Sequence, residues 1–285
     1  MPTLSISEAT QVAELYDSDS KSPPIRGAAA DLIKYRALVG LLVRRNLTVQ
    51  YKRSVLGVAW TVLYPLLTTL VMWAVFSHLF RFQIPGRVPY LVYLLSGILV
   101  VTFFQQGLTM TAASMVGSAP MLTKVYVPPI VFAVSAACTG AVNFLFGLVP
   151  LVIFQLALGI GIAWTIVAVP IPLLFLLAMV AGIGLFLATL AIKFDDVLTF
   201  VNVMLVLVSY VTPTFFPVSI VSAPFRKLFY VNPLYSYIEI FRYLEYGGAR
   251  PLWLAFLIVA LTGIVGLGVG VTVFVRRWPT LVALL

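Results

Sequence analysis

The sequence predicts an all-α integral membrane protein: six transmembrane helices, an N-terminal amphipathic interface helix, and a short re-entrant helix pair before the last span. Three observations carry this expectation. The 285 residues are 62% hydrophobic and only 9% charged, whereas soluble domains carry about 25% charged residues. Apolar runs of the ~20 residues that a spanning helix needs occur six times, at about 57–80, 91–112, 129–157, 166–192, 197–216 and 252–275. Lys and Arg gather at the edges of these runs, with 12 of the 18 on one set of alternating connections.

The elements follow in chain order. Residues 1–28, including "MPTLSISEATQVAELYDSDSKSPP", are polar and partly acidic. They lack the basic start and apolar core of a signal peptide and read as a disordered cytoplasmic tail. Segment 29–54 reads as an interface helix. On a helical wheel Leu32, Tyr35, Val39, Val43 and Leu47 share one side, and Lys34, Arg45 and Lys52 the other. The six-span domain then runs over 55–278, with 279–285 as a cytoplasmic C-terminus. Pro150 predicts a kink or tilt near the end of the long third run, and Pro170 and Pro172 suit the first turn of the fourth.

The cations orient this arrangement. Arg44, Arg45, Lys52 and Arg53 lie close to the first span, and Arg276 and Arg277 end the last. The positive-inside rule therefore places both termini in the cytoplasm. It also accounts for the net charge of +9 without nucleic acid.

The outer segment 217–251 is too charged to span and too apolar to lie free in water. Asn232-Pro233 reads as a cap and first turn, Gly247-Gly248 as a stop, and Leu234, Ile238, Phe241 and Leu244 keep helical spacing. A shorter helix over about 218–229 precedes it. Such a pair predicts outer gate helices over 217–247 that roof a pathway.

No residues for catalysis, cofactor binding or metal ligation stand out. A phosphate-cradling Gly-x-x-x-x-Gly-Lys-Ser/Thr loop is missing, Cys138 and His78 are each alone of their kind, and no charged proton relay crosses the spans. Asp195 and Asp196, adjacent at a turn, read as a solvated helix start or as a contact for a cytoplasmic partner. Glu239 and Arg242 are three apart and can pair, or can act at a gate. Gly266 and Gly270 allow close helix packing, within the chain or between subunits. Uncharged polar residues in the runs, among them Gln105, Gln106, Asn143, Gln155 and Asn202, either bond between helices or line a conduit. Tyrosine and phenylalanine crowd the outer third, either as an interfacial belt or as flat surfaces for sugar rings.

Four stretches resemble the permease subunits of ABC-type polysaccharide exporters, which move O-antigen, capsule, teichoic acid and related lipid-linked glycans. They are "RRNLTVQYKRSVLGVAWTVLYPLL" (44–67), "MLTKVYVPPIV" (121–131), "IKFDDV" (192–197) and "NPLYSYIEIFRYLEYG" (232–247). The resemblance spans about 30–278. Asp195 stands where the family often has arginine, and Pro129 where an arginine often follows the loop's proline. The resemblance implies a homodimer of permeases in the bacterial inner membrane, paired with two copies of a separate ATP-binding subunit that holds the ATP and Mg; no cofactor is expected on this chain. Nucleotide-domain coupling is expected from Lys124, Val125, Tyr126, Arg44, Arg45, Asp195 and Asp196. Channel and gate positions are expected at Tyr64, Phe215, Phe216, Tyr235, Glu239, Arg242, Tyr243 and Tyr246. A drug or antibiotic efflux permease of the same class would share the topology. A membrane enzyme acting on lipid-linked sugars would need convergent ionisable groups that the sequence does not offer.

Overall fold

The computed structural model describes residues 25–52, 54–79, 88–122 and 127–281. Ten α-helices lie along them: α1 Ile25–Lys34, α2 Arg36–Tyr51, α3 Ala59–Ala74, α4 Tyr90–Leu122, α5 Ile130–Ala157, α6 Pro170–Ala191, α7 Val197–Val211, α8 Ala223–Val231, α9 Pro233–Tyr246 and α10 Trp253–Leu281. A π-helical turn, Val75–Leu79, extends α3, and short 3₁₀ turns occupy Trp164–Ala168 and Val218–Ile220. Among the described residues five segments are long and apolar enough to cross a membrane: Ala59–His78, Tyr90–Ser118, Ile130–Ala157, Trp164–Ala191 and Trp253–Trp278. The fifth run forms the shorter α7, whose 15 residues would measure only about 22 Å at 1.5 Å per residue. It stops before the expected boundary because Thr212 precedes Pro213 and takes an extended ψ of 125°.

The N-terminal basic segment is two helices joined at Tyr35, which leaves the helical region at φ −97°, ψ 18°. Leu32, Tyr35, Leu38, Val39 and Leu42 turn towards the bundle, meeting Ile130, Phe132 and Phe274 in one apolar cluster. The opposite face, with Ile33, Leu41, Arg44 and Arg45, is exposed. Polar groups fasten α2 to the spans. The Asn46 amide donates to Thr139 Oγ1 at 3.3 Å, and Tyr51 OH bonds Thr61 Oγ1 at 2.5 Å. Between α2 and α3 the chain turns through Ser54–Val58. Gly57 adopts a left-handed φ of 51°, and its N–H donates to Ser54 Oγ at 3.2 Å. The "SVLG" of the sequence is therefore a turn in which a side chain satisfies the backbone and only glycine fits without strain.

α4 is the central helix, with 78% of its apolar window buried against 11% for α3. It runs past its expected end at 112 to Leu122, so most of the predicted inner connection is helix. α5 continues unbroken across Pro150. α6 and α10 make the closest pair. A Cβ at Gly182 would strike the carbonyl of Gly266, and one at Gly270 the carbonyl of Gly182. A Cβ at Gly263 would lie 2.8 Å from the Phe175 carbonyl. The glycines of α10 thus serve packing within the chain. Gly266 lends its backbone, while Gly263 and Gly270 supply the space.

Against rigid backbone, an added side chain at this crossing is expected to cost at least the ~1–3 kcal/mol of a typical overpacked core. Gly182→Val should therefore lose the sharp, monodisperse peak of the detergent-extracted protein in size-exclusion chromatography. Gly268→Ala, where a Cβ meets nothing within 4 Å, should retain it.

Candidate functional site

The candidate site lies at the end of the bundle opposite α2, where α9 is packed among α4, α10 and the turn before α6. Local chemistry sets the helix. Asn232 Oδ1 accepts from the Leu234 N–H at 3.0 Å, Pro233 takes the first position, and Gly247 closes the helix in the left-handed region at φ 69°. Asn232 also donates to Thr212 Oγ1 at 3.1 Å, and Tyr237 OH donates to the Val259 carbonyl of α10 at 3.1 Å. α8, by contrast, is largely exposed.

Arg242 is the centre of this end. Its side chain is 6% exposed. The guanidinium donates from Nε to Ser96 Oγ at 3.2 Å and from Nη2 to the carbonyls of Tyr93 at 2.9 Å and Thr214 at 3.1 Å. It also stacks 3.5 Å from the centroid of the Tyr93 ring. One side chain thereby ties α9 to α4 and to the irregular segment after α7. Gly97 makes room for it, since a Cβ there would sit 2.6 Å from Arg242 Nη2. The pairing of Glu239 with Arg242 suggested by their spacing is not made, because the guanidinium turns inward to carbonyls and a ring. Glu239 stays half-buried. Burial pushes its carboxyl up, opposed by the Tyr235 hydroxyl and the Arg242 charge.

Of the residues expected at a channel or gate, several converge here. Tyr90 OH donates to the Phe215 carbonyl at 2.8 Å, and the Phe215 ring stacks on Phe76 with centroids 6.2 Å apart. Phe216 meets Phe229 edge-on. Tyr235 is buried against Tyr230, while Tyr243 and Tyr246 are half-buried in the main core. These rings act as packing elements within the single chain. Tyr64 lies apart, on the exposed face of α3 at 55% exposure. The residues expected to couple to a partner sit at the other end. Arg44, Arg45, Asp195 and Asp196 are exposed on α2 and at the α6–α7 turn, and Asp196 precedes α7 without a side-chain capping bond. Lys124, Val125 and Tyr126 lie outside the described residues.

The polar residues of the runs bond between helices, border a cavity, or do both. Asn143 bonds Gln50 at 3.4 Å and Tyr51 at 3.5 Å, and Gln105 Nε2 donates to the Leu205 carbonyl of α7 at 3.0 Å. Gln50, Gln105, Gln106, Thr109 and Asn202 border an open cavity of about 530 Å³ between α4 and α7. Asn202 is exposed and accepts from Thr109 at 3.3 Å. Sequence reasoning passed over Tyr93, Ser96 and Gly97, whose roles follow only from Arg242 folding across 149 residues onto α4. Among the described residues no group of His, Cys, Asp and Glu is arranged to hold a metal.

With this geometry in place, the family can be assigned. The model of the ABC-2 type transporter family matches residues 37–246. The chain belongs to that family. As an ABC-2 transporter permease it resembles the O-antigen export system permease protein RfbA of Klebsiella pneumoniae, at 27% identity over 239 residues, 83% of this chain and 90% of the relative. It also resembles the RfbA permease of Myxococcus xanthus, at 28% identity over 223 residues, 78% of this chain and 85% of the relative. The matched region of the permease runs from the basic helix α2 to the end of α9, so both ends of the bundle described above fall inside it.

Losing the guanidinium fork would remove three charge-assisted bonds from a buried site, leaving Ser96 Oγ and the Tyr93 carbonyl only their mutual bond at 2.9 Å and taking this donor from the Thr214 carbonyl. Arg242→Lys keeps the charge but not the fork, and is expected to destabilise the permease by about 2–3 kcal/mol. A lowered thermal midpoint in detergent would register this, while an unchanged midpoint would show that the fork contributes little.

Proposed function

We propose that this ABC-2 permease is the transmembrane half of an ATP-driven exporter that moves a lipid-linked polysaccharide from the cytoplasmic side across the bacterial inner membrane. The observation that carries the reading is the open face between α4 and α7 bordered by Gln105, Gln106, Thr109 and Asn202, with Gln50 of α2 beside them. Amide and hydroxyl groups exposed at membrane depth are costly against lipid and are favoured against water or a hydroxyl-rich ligand. No charge accompanies them, which suits a long polymer whose contacts must be weak and repeated. The relatives named as O-antigen export permeases support the same substrate class.

In this reading six crossings, with α7 as the short fifth, place both termini in the cytoplasm, and α8 and α9 form a re-entrant outer gate. Two copies pair so that their polar faces enclose the conduit, and the exposed apolar face of α3 meets lipid or the second copy. Two separate ATP-binding subunits dock at the basic end through Arg44, Arg45, Asp195, Asp196 and the segment Lys124–Tyr126, and supply the ATP and Mg chemistry. Nucleotide-driven closure there would swing rigid helices and open the far end. The efflux reading shares this topology but gives the uncharged amide and hydroxyl groups of this face no purpose.

Depleting the protein is expected to accumulate lipid-linked polymer on the cytoplasmic leaflet, detectable by leaflet-specific labelling. Complementation with a Gln106→Leu, Asn202→Leu double variant that folds normally should restore export several-fold less well than the unmodified chain. Full export by that variant, or no polymer accumulating on depletion, would refute the polysaccharide reading.

A further inference from the structure

The C-terminal turn of α9 rests on a seam formed by the end of α5 and the connection that follows it. The Ala163 N–H donates to the Glu245 carbonyl at 3.2 Å, Thr165 Oγ1 to the Leu244 carbonyl at 2.7 Å, and the Ile160 N–H to the Gln155 carbonyl at 2.8 Å. Within the seam lie two polar side chains that no other role explains. Glu245 is 1% exposed and Gln155 is 0% exposed. The two side chains are neighbours, yet among the described residues neither makes a hydrogen bond of normal geometry to a protein group.

Among the described residues no cation answers the Glu245 carboxyl. On α9 itself, Arg242 lies one turn back with its guanidinium committed to α4 and Thr214, and Glu239 lies further off. Tyr246 adds only a phenol. From α4 come the phenols of Tyr90 and Tyr93. The end of α5, the turn Trp164–Ala168 and α6 carry no charged residue. On α8, Arg226 is bound to the carbonyls of Val221 and Ser219 and Lys227 is exposed. Arg250 is exposed beyond Gly247, and the cations of α10, Arg276 and Arg277, are at its far end. A charged carboxylate in this place would be desolvated without compensation, whereas a neutral carboxyl would carry a proton to offer the facing amide.

We propose that Glu245 and Gln155 form a proton-operated latch on α9. With α9 seated, Glu245 is a neutral carboxyl whose O–H is directed to the Gln155 amide oxygen, within reach after a small side-chain adjustment. When the end of α9 lifts and water enters, the proton passes to that water, and the carboxylate then disfavours reseating. The latch deepens the reading of α9 as an outer gate and rests on it for its role in export.

Burial raises the Glu245 carboxyl from 4.5 to about 8, with Gln155 opposing only in part. The folded chain therefore holds this proton more tightly than the unfolded chain does. The stability it contributes is complete below the unfolded value of 4.5, falls as pH rises, and is lost by about pH 8.

The test uses the full chain in lipid nanodiscs. Between pH 5 and pH 8.5 the thermal midpoint of the unmodified chain should fall by several degrees. Hydrogen exchange in 158–168 and 240–247, corrected for intrinsic rates, should quicken in step. Glu245→Gln keeps the shape and removes the proton, so its midpoint should be nearly flat over this range. An equal slope in that variant would overturn the latch. Should the variant fail to fold, the unmodified chain still decides, because unchanged protection of both segments across the range would overturn it as well. A pH-responsive α9 alongside export indifferent to Glu245→Gln would uphold the latch and count against the gate reading instead.

Discussion

Hydrocarbon tolerates neither an unpartnered backbone group nor an uncompensated charge, and that constraint shapes every part of this chain. Among the described residues, the five segments of spanning length contain no Asp, Glu or Lys. Their only basic residues, His78, Arg276 and Arg277, stand at helix ends. Most of their Ser and Thr hydroxyls fold back onto their own helices, as Thr111 does onto the Gly107 carbonyl and Thr139 onto that of Ser135. Their glycines allow backbones to touch where lipid offers no hydrophobic drive to associate. Where a charge is buried, as at Arg242, it is wrapped by carbonyls, a hydroxyl and an aromatic face. A bundle built this way has no proton relay across its middle, which is why the export reading assigns the driving force to a partner at the basic end.

The two ends differ in kind. At the basic end the charged side chains are exposed on α2 and at the α6–α7 turn, available to a partner, and the apolar stripe of α1 and α2 is already spent on the bundle. At the far end Arg242 and Glu245 turn inward. Arg242 binds α9 down, and Glu245 sits unanswered in a seam. In the proposed reading, movement is imposed at the first end and released at the second, with α4 as the long rigid body that reaches both.

Much of this was legible in the chain. Apolar run length marked the long spans, and Asn232-Pro233 and Gly247 bounded α9; the turn at Ser54–Gly57 into the first span was not read. Run length misjudged ends where another rule intervened. Pro213 stopped α7 early, whereas α4 runs on through Gly117 and Pro120 to Leu122. Local spacing also suggested the wrong partner for Arg242. The i,i+3 rule describes an exposed helix, and α9 is buried, so carbonyls distant in sequence outcompete Glu239. The contacts with Ser96 and Gly97, and the depth of Glu245 and Gln155, depend on tertiary packing that no local pattern encodes.

The central claim is that the chain forms a passive conduit driven from outside itself. Proteoliposomes carrying the permease and a labelled lipid-linked glycan test it most directly, by comparing translocation driven by ATP with the partner subunit present against translocation driven by a proton gradient with the permease alone. The account expects glycan to cross only in the first case. Sustained crossing under the gradient alone, or ATP hydrolysis by the purified permease without a partner, would contradict it.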